Sequence, residues 1–278
     1  MLQGRHYVLT APVAVQGNWL IANQQATAYN LIMEYSSDFE MTNLAQATKT
    51  AQWQDLSVEL LNDVFSPLPY QERIRLLYRY FNQTDVLLTS SFGTNSAFLL
   101  YWMQEIRPTQ PIHFIDTTYH FPETIAYKAE LTQRLGLNVV DVLPDPTQNA
   151  LTTEEAYWKE HPRMCCSVNK VVPLEPIKAA HKVWISGLMA YQTEFRSHLR
   201  VFERQGDILK FHPLIDIDEG ELLYHFSLHN IPKHPLEDAG YSSIGCKHCT
   251  KKGEGREGRF QGQNRTECGL HPGYFIKK

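Results

Sequence analysis

The sequence predicts an α/β fold built on a parallel, doubly wound sheet, and three observations carry that prediction. Short apolar runs alternate with helix-like stretches of about 10–15 residues, the rhythm of strands joined by crossover helices. Several of the runs are apolar throughout instead of alternating with polar residues, as strands covered on both faces are. The chain has 278 residues, 43 % of them hydrophobic, enough for one large domain or one domain with an extension.

The elements follow in order. Trp19–Tyr35 and Leu56–Phe65 have helical spacing, and Pro67 and Pro69 break the chain after them. Residues 1–66 therefore read as a helical N-terminal extension whose role the sequence does not assign. Residues 67–250 read as the main domain. Tyr70–Phe81 is an amphipathic helix, Asp85–Ser90 a first strand and Asn95–Ile106 a helix with one apolar face. Pro111–Ile115 is a second strand, Pro122–Leu135 a helix, Asn138–Leu143 a third strand and Val183–Ser186 a fourth. Beyond residue 200, Val201–Glu203 and Ile208–Phe211 flank Gln205-Gly206-Asp207 as a hairpin, and Asp218 caps a helix reaching His229. Lys251–Thr266 is rich in Gly, Arg and Glu with few large apolar residues, so residues 251–278 read as a mobile tail. No internal repeat is visible.

Charge and cysteine usage narrow the function. A net charge of −4 gives no basic excess of the kind a nucleic-acid binder carries. The N-terminus lacks a basic-then-apolar signal pattern, and no apolar run reaches about 18 residues, so no membrane association and a cytoplasmic location are expected. There are five cysteines, an odd number that argues against a disulfide framework. Cys165-Cys166 and Cys246-x-x-Cys249 form two tight pairs, and Cys268 stands alone. Four plus one points to a four-thiolate metal site and a separate reactive thiol. Adjacent cysteines rarely ligate one zinc, whereas a cuboidal iron–sulfur cluster takes each thiolate on a different iron. Ordinary buried cysteine is the alternative. Lys170 lies four residues past Cys166, one turn away if the segment is helical, where its charge offsets a cluster or meets an anion.

The loop Ser90-Ser91-Phe92-Gly93-Thr94-Asn95-Ser96 joins the first strand to a helix. Backbone N–H groups there point at an anion, Gly93 allows a close approach, and Ser90, Ser91 and Ser96 add hydroxyls. It lacks the Gly-Lys-Ser/Thr ending of the nucleotide-triphosphatase loop, and a polar turn without a ligand is the other reading. Asp116 ends the second strand on the functional edge of such a sheet, ahead of a helix beginning at Pro122. In the tail, Cys268 has Arg256, Arg259, Arg265 and His271 near it in sequence, a setting that lowers a thiol pKa. A thiolate on a mobile segment can reach a substrate and then a partner; a surface cysteine without a role is the alternative.

These motifs together resemble the assimilatory adenylyl-sulfate and phosphoadenylyl-sulfate reductases, over about residues 70–278. Glu267-Cys268-Gly269-Leu270-His271 resembles their catalytic signature. Gly240–Thr250 and Cys165-Cys166-x-x-x-Lys170 are similar to their two cluster motifs, Ser90–Ala97 to their phosphate loop, and Gly255–Phe260 to their arginine pair. The resemblance implies an adenine-nucleotide alpha-hydrolase-like fold and a 4Fe–4S cluster on Cys165, Cys166, Cys246 and Cys249. It also implies an adenylyl-sulfate site that includes Lys170, Arg196, Arg256, Arg259 and His271, and Cys268 as the nucleophile. The implied reaction forms a Cys268 S-sulfo intermediate that thioredoxin or glutaredoxin resolves to sulfite. Carriage of all four cluster cysteines points to adenylyl sulfate; the 3′-phosphorylated nucleotide is the alternative substrate. Other classes on the same fold are a tRNA-thiolating enzyme and a non-catalytic, cluster-binding redox sensor. Assembly into a homo-oligomer is left open.

The chain also departs from the family pattern. Gly187-Leu188 is followed by Met189-Ala190-Tyr191-Gln192 where relatives often have arginines, with Arg196 and Arg200 nearby. Thr118 replaces the glycine of an Asp-Thr-Gly pattern, and Tyr119-His120-Phe121-Pro122 looks like the users of the 3′-phosphorylated substrate. Arg265 stands where a lysine is common.

Overall fold

A computed structural model of the chain describes residues 56–263, 265 and 267–270, all within the unit Ala47–Lys278. The helical spacing at Trp19–Tyr35 and the tail residue His271 lie outside the described residues. Within them, six strands form one sheet in the order β3-β2-β1-β4-β6-β5. The strands are β1 (Val86–Ser90), β2 (Ile112–Ile115), β3 (Val139–Val142), β4 (Val183–Ile185), β5 (Phe202–Gln205) and β6 (Ile208–Phe211). All neighbours run parallel except the β5–β6 hairpin, where Gly206 takes φ 61° at the turn. The fold class is therefore the predicted α/β, mostly parallel sheet.

Helices α1 (Val58–Phe65) and α2 (Tyr70–Tyr80) precede the sheet; α3 (Ser96–Ile106) follows β1 and α4 (Pro122–Leu135) follows β2. After β3 come α5 (Pro146–Glu154), α6 (Tyr157–Glu160), α7 (Pro162–Cys166) and α8 (Val172–Ala179); α9 (Glu194–Ser197) and α10 (Glu219–Leu228) come later. Both faces of the sheet are covered, as the unbroken apolar runs require. Leu87, Ile115 and Trp184 join Leu174 of α8 in one cluster. Their neighbour Phe114 points the other way, where its ring meets Phe92 at 5.5 Å and Lys128 of α4 at 4.4 Å. Phe98 of α3 packs with Tyr70 of α2 and Phe226 of α10.

Two local solutions explain elements that pattern alone does not. β5 is an edge strand, and an open edge invites wrong pairing. Asn62 of α1 covers it, donating Nδ2 to the Phe202 carbonyl at 3.0 Å and accepting the Phe202 N–H at 2.9 Å, much as a neighbouring strand would. The stretch from Pro146 to Ala179 is helical although it holds Pro162, Pro173 and Pro176. A π-helical turn, Ser167–Val171, links α7 to α8. Pro173 stands in the first turn of α8, where its missing N–H costs nothing, and the π-helical turn carries Lys170.

The topology fixes where a ligand can sit. From β1 the chain winds outward through β2 and β3, then returns to β4 on the other side of β1. The ends of β1 and β4 thus form the switch point at which open α/β sheets bind ligands.

Candidate active site

The loop after β1 is built as a cradle. Ser96 Oγ accepts the Gly93 N–H at 3.0 Å and lies 3.4 Å from Ser91 Oγ, while Ser90 Oγ accepts the Phe92 N–H at 3.2 Å. The residue in the left-handed region is Phe92, at φ 48°, not Gly93. Gly93 is needed for a different reason: a Cβ there would lie 3.2 Å from the Ile244 carbonyl of the segment that closes over the loop. Thr94 Oγ1 donates to the Ser242 carbonyl at 3.0 Å and joins the same two segments.

Behind this cradle is a cavity of about 200 Å³. Ser90, Ser91, Gly93, Thr94, Asn95 and Ser96 line it, together with Lys170, Arg196, Arg256, Arg259 and Cys268. Two expected site residues are elsewhere. The Phe92 side chain is fully buried against Phe114, and only its backbone belongs to the loop. Asp116 does not line the cavity; its Oδ1 accepts the Thr118 N–H at 2.8 Å, closing a turn in which Thr118 has φ 64°. The glycine-like backbone at Thr118 is therefore kept without glycine, with Thr118 Oγ1 in hydrogen-bond contact with Asn149.

Four cations converge on one small volume. Burial lowers Arg256 to about 10 and Arg259 below the ordinary arginine value. Arg259 Nη1 donates to the Ile244 carbonyl at 3.0 Å and meets Ser243 Oγ at 3.4 Å. Arg196 grips Glu267 with a fork, Nε to Oε1 at 2.7 Å and Nη2 to Oε2 at 2.8 Å, and also contacts Gln192. Arg256 Nη2 reaches the same carboxylate at 3.3 Å. Burial opposes the charge on Lys170, but the surrounding cysteine sulfurs Cys246, Cys268 and Cys166 outweigh it and hold its pKa above the usual lysine value. His120 also lines the cavity; burial and the nearby Lys170 push it down to about 4, so it is neutral at pH 7. Such a concentration of buried cation and hydroxyl donors is suited to an oxyanion ligand. Cys268, half-buried on the same wall, adds a nucleophile.

The two cysteine pairs meet beside this cavity. Cys165, Cys166, Cys246 and Cys249 are all unbridged and line one small void with Tyr119, Trp158 and Lys170. Each sulfur has a donor near it: Asn169 Nδ2 at 3.8 Å from Cys165, Arg265 Nη1 at 3.2 Å from Cys166, Thr117 Oγ1 at 3.3 Å from Cys246 and Arg265 Nη2 at 3.7 Å from Cys249. Burial pushes Cys165 up to about 12 and raises Cys249. Burial opposes ionisation of Cys246 too, but Lys170 and the Thr117 hydroxyl overcome it and lower that thiol. Among the described residues no three His, Cys, Asp or Glu groups are placed to hold a single metal ion. Four thiols with a donor beside each sulfur are the donor chemistry that a cuboidal cluster takes, one thiolate per iron.

Sequence reasoning did not single out Ser186, Gln192, Lys210 or Glu267. The last was visible as the residue before Cys268, but nothing in its neighbourhood announced a buried partner for Arg196. The segment after residue 250 is tied to the body by the bridge Thr250–Arg259, by the Phe260 N–H bonded to the Cys249 carbonyl at 3.1 Å and, further along, by Glu267 on Arg196. Among the described residues no helix is long and apolar enough to cross a membrane.

Comparison with known proteins gives consistent relatives. A profile of the phosphoadenosine phosphosulfate reductase domain matches residues 85–252. The adenosine 5′-phosphosulfate reductase of Bacillus mycoides is 36 % identical over 196 residues, which cover 67 % of this chain and 84 % of the relative. That of Bacillus cytotoxicus is 36 % identical over 205 residues, covering 70 % and 86 %. Among solved structures, the phosphoadenylyl-sulfate reductase of Candida auris, determined as a phosphate complex, superposes with a TM-score of 0.62 at 22 % identity. The superposition covers 70 % of this chain and 98 % of that one, and it shows a shared fold.

Proposed function

The chain belongs to the phosphoadenosine phosphosulfate reductase domain family of oxidoreductases, and from that membership we propose that it reduces adenylyl sulfate to sulfite and AMP. One observation carries the reading: Cys268 shares a single cavity with the serine cradle and with Lys170, Arg196, Arg256 and Arg259. The cradle and cations hold the phosphosulfate. The Cys268 thiolate attacks the sulfur, and the S–O bond breaks with its electron pair leaving on AMP. AMP is a good leaving group, so positioning and fixed positive charge supply most of the rate. The product is Cys268 S-sulfocysteine. One thiolate of thioredoxin or glutaredoxin then attacks the Cys268 sulfur and expels sulfite. Its second thiol frees Cys268 and leaves the partner as a disulfide.

Cys165, Cys166, Cys246 and Cys249 would hold the 4Fe–4S cluster in this reading. When bound, the cluster supplies a fixed charge and a rigid frame beside Lys170, without changing oxidation state. A thiol-driven reaction of this kind belongs in the reducing cytoplasm.

The 3′-phosphorylated nucleotide is the second substrate to weigh, because Tyr119-His120-Phe121-Pro122 is similar to the users of that form. The presence of both cysteine pairs favours adenylyl sulfate, as the resemblance to the cluster-bearing reductases implies. The test is sulfite release by anaerobically purified protein with thioredoxin, each nucleotide supplied in parallel. Preference for adenylyl sulfate is expected. Preference for the 3′-phosphorylated form would move the assignment to the second substrate, and no sulfite from either would overturn the reading.

A further inference from the structure

The sheet carries a lysine where an apolar side chain is expected. Lys210 lies on β6, opposite Trp184 of β4 and Glu203 of β5, and is 1 % exposed. A buried amine is costly unless its protons are met. Here Nζ donates to the Leu270 carbonyl at 3.2 Å and lies 4.2 Å from the centre of the Trp184 ring. Trp184 is itself fixed, donating Nε1 to Thr89 Oγ1 at 2.8 Å. The Leu270 side chain packs against the cluster of Leu87, Leu174 and Trp184. The catalytic segment is therefore held two residues after Cys268. One residue before Cys268, the Glu267 carboxylate is 2 % exposed and receives the Arg196 fork, Arg256 and the Thr193 hydroxyl. Cys268 sits between two buried polar anchors.

We propose that Lys210 and Glu267 are positioning residues that clamp the segment Glu267–Leu270 against the cavity and thereby aim the Cys268 sulfur at the bound nucleotide. The inference rests on the reading of Cys268 as nucleophile. The two anchors differ in kind. Glu267 is held by charge, on arginines that also face the substrate. Lys210 does not line the cavity, and its bond to the Leu270 carbonyl bears on the segment from behind. Burial lowers Lys210 to about 7, against the opposing pull of Cys268 and Glu267. A neutral amine still has protons for the Leu270 carbonyl, so this anchor survives loss of its charge.

The test uses the full chain, purified anaerobically, as wild type, Lys210→Met, Lys210→Arg and Glu267→Gln. Three quantities are read: hydrogen exchange of a peptide covering Glu267–Leu270, affinity for AMP, and kcat for sulfite release. In Lys210→Met, loss of one buried donor should raise exchange of that peptide about tenfold and lower kcat by a similar factor. Its AMP affinity should stay within about twofold of wild type, and Lys210→Arg should recover most of both losses. Glu267→Gln should also raise exchange of the peptide. A merely structural role would instead raise exchange throughout β4 and β6, and that result would overturn the proposal. Unchanged exchange in both Lys210→Met and Glu267→Gln would overturn the clamp, and an opened segment with full kcat would overturn positioning. Should Lys210→Met fail to fold, Glu267→Gln decides alone. If wild type releases no sulfite from either nucleotide, it is the reading of Cys268 that fails; the exchange data still decide whether the clamp exists.

Discussion

Gly245→Ala is expected to weaken substrate binding without touching the nucleophile. A Cβ on Gly245 would lie 2.7 Å from Cζ and 3.1 Å from Nη1 of Arg259, inside contact distance. The clashing atoms are the guanidinium end of a flexible side chain, which gives way at the cost of its bond to the Ile244 carbonyl and its contact with the Phe260 ring at 4.8 Å. It must swing away, and the cavity loses one of its cations. A hydrogen bond to a charged group contributes about 1.5–3 kcal/mol, which corresponds to roughly 10–150-fold in kcat/KM. The assay is initial sulfite release against adenylyl sulfate concentration at saturating thioredoxin. Most of the loss should fall on KM. Because Cys246 is the next residue, iron content and visible absorption are recorded to separate a displaced arginine from a lost cluster. A variant with wild-type iron and kcat/KM within about twofold of wild type would refute the assignment of Arg259 to the anion.

Other expectations concern the fold. Asn62→Ala strips the cover from the edge of β5 and leaves the Phe202 N–H and carbonyl without that partner. About 2–3 kcal/mol should be lost in urea unfolding, and a midpoint shift indistinguishable from zero would count against the edge-cover account. Thr118→Gly relieves a left-handed β-branched residue but gives up the Asn149 contact and adds chain freedom, so stability should rise by no more than about 1 kcal/mol; a clear loss would mean that the Asn149 contact dominates. His234 accepts the Leu236 N–H on Nδ1, and burial lowers its pKa to about 4, against 6.5 for the ordinary histidine. Between those values the unfolded chain binds the extra proton, so stability should fall as pH drops from 6.5 towards 4, by up to about 1.4 kcal/mol per pH unit from this residue. His234→Asn should lose that part of the slope, and equal slopes in the two proteins would contradict it.

How much of this was legible in the sequence depends on the kind of interaction. The strands Val86–Ser90 and Ile112–Ile115 and the helix Pro122–Leu135 could be read because their cores are local apolar runs with clear stops. The helices from Pro146 to Ala179 were not assigned from the sequence: they are short, between 4 and 9 residues, and carry no long apolar period, although Pro146, Pro162 and Pro173 stand in first turns, where proline is favoured. The cradle serines and the cysteine pairs could be picked out by residue type and spacing, whereas Arg196 and the pair Arg256 and Arg259 entered the substrate site through the family resemblance. What could not be read was pairing across the fold. Glu267 with Arg196 and Lys210 with Leu270 are long-range contacts, and no local pattern reports them. Asp116 shows the converse: its place at a strand end suggested substrate binding, yet its carboxylate closes the Thr118 turn.

The central claim is that Cys268 takes the sulfonyl group from the nucleotide. Anaerobic protein is mixed with adenylyl sulfate in the absence of any thiol, and the peptide containing Cys268 is weighed by mass spectrometry. The account predicts a gain of one SO3 unit on Cys268, released as sulfite when thioredoxin is added and absent in Cys268→Ser. Sulfite formed without that adduct, or at full rate by Cys268→Ser, would contradict it.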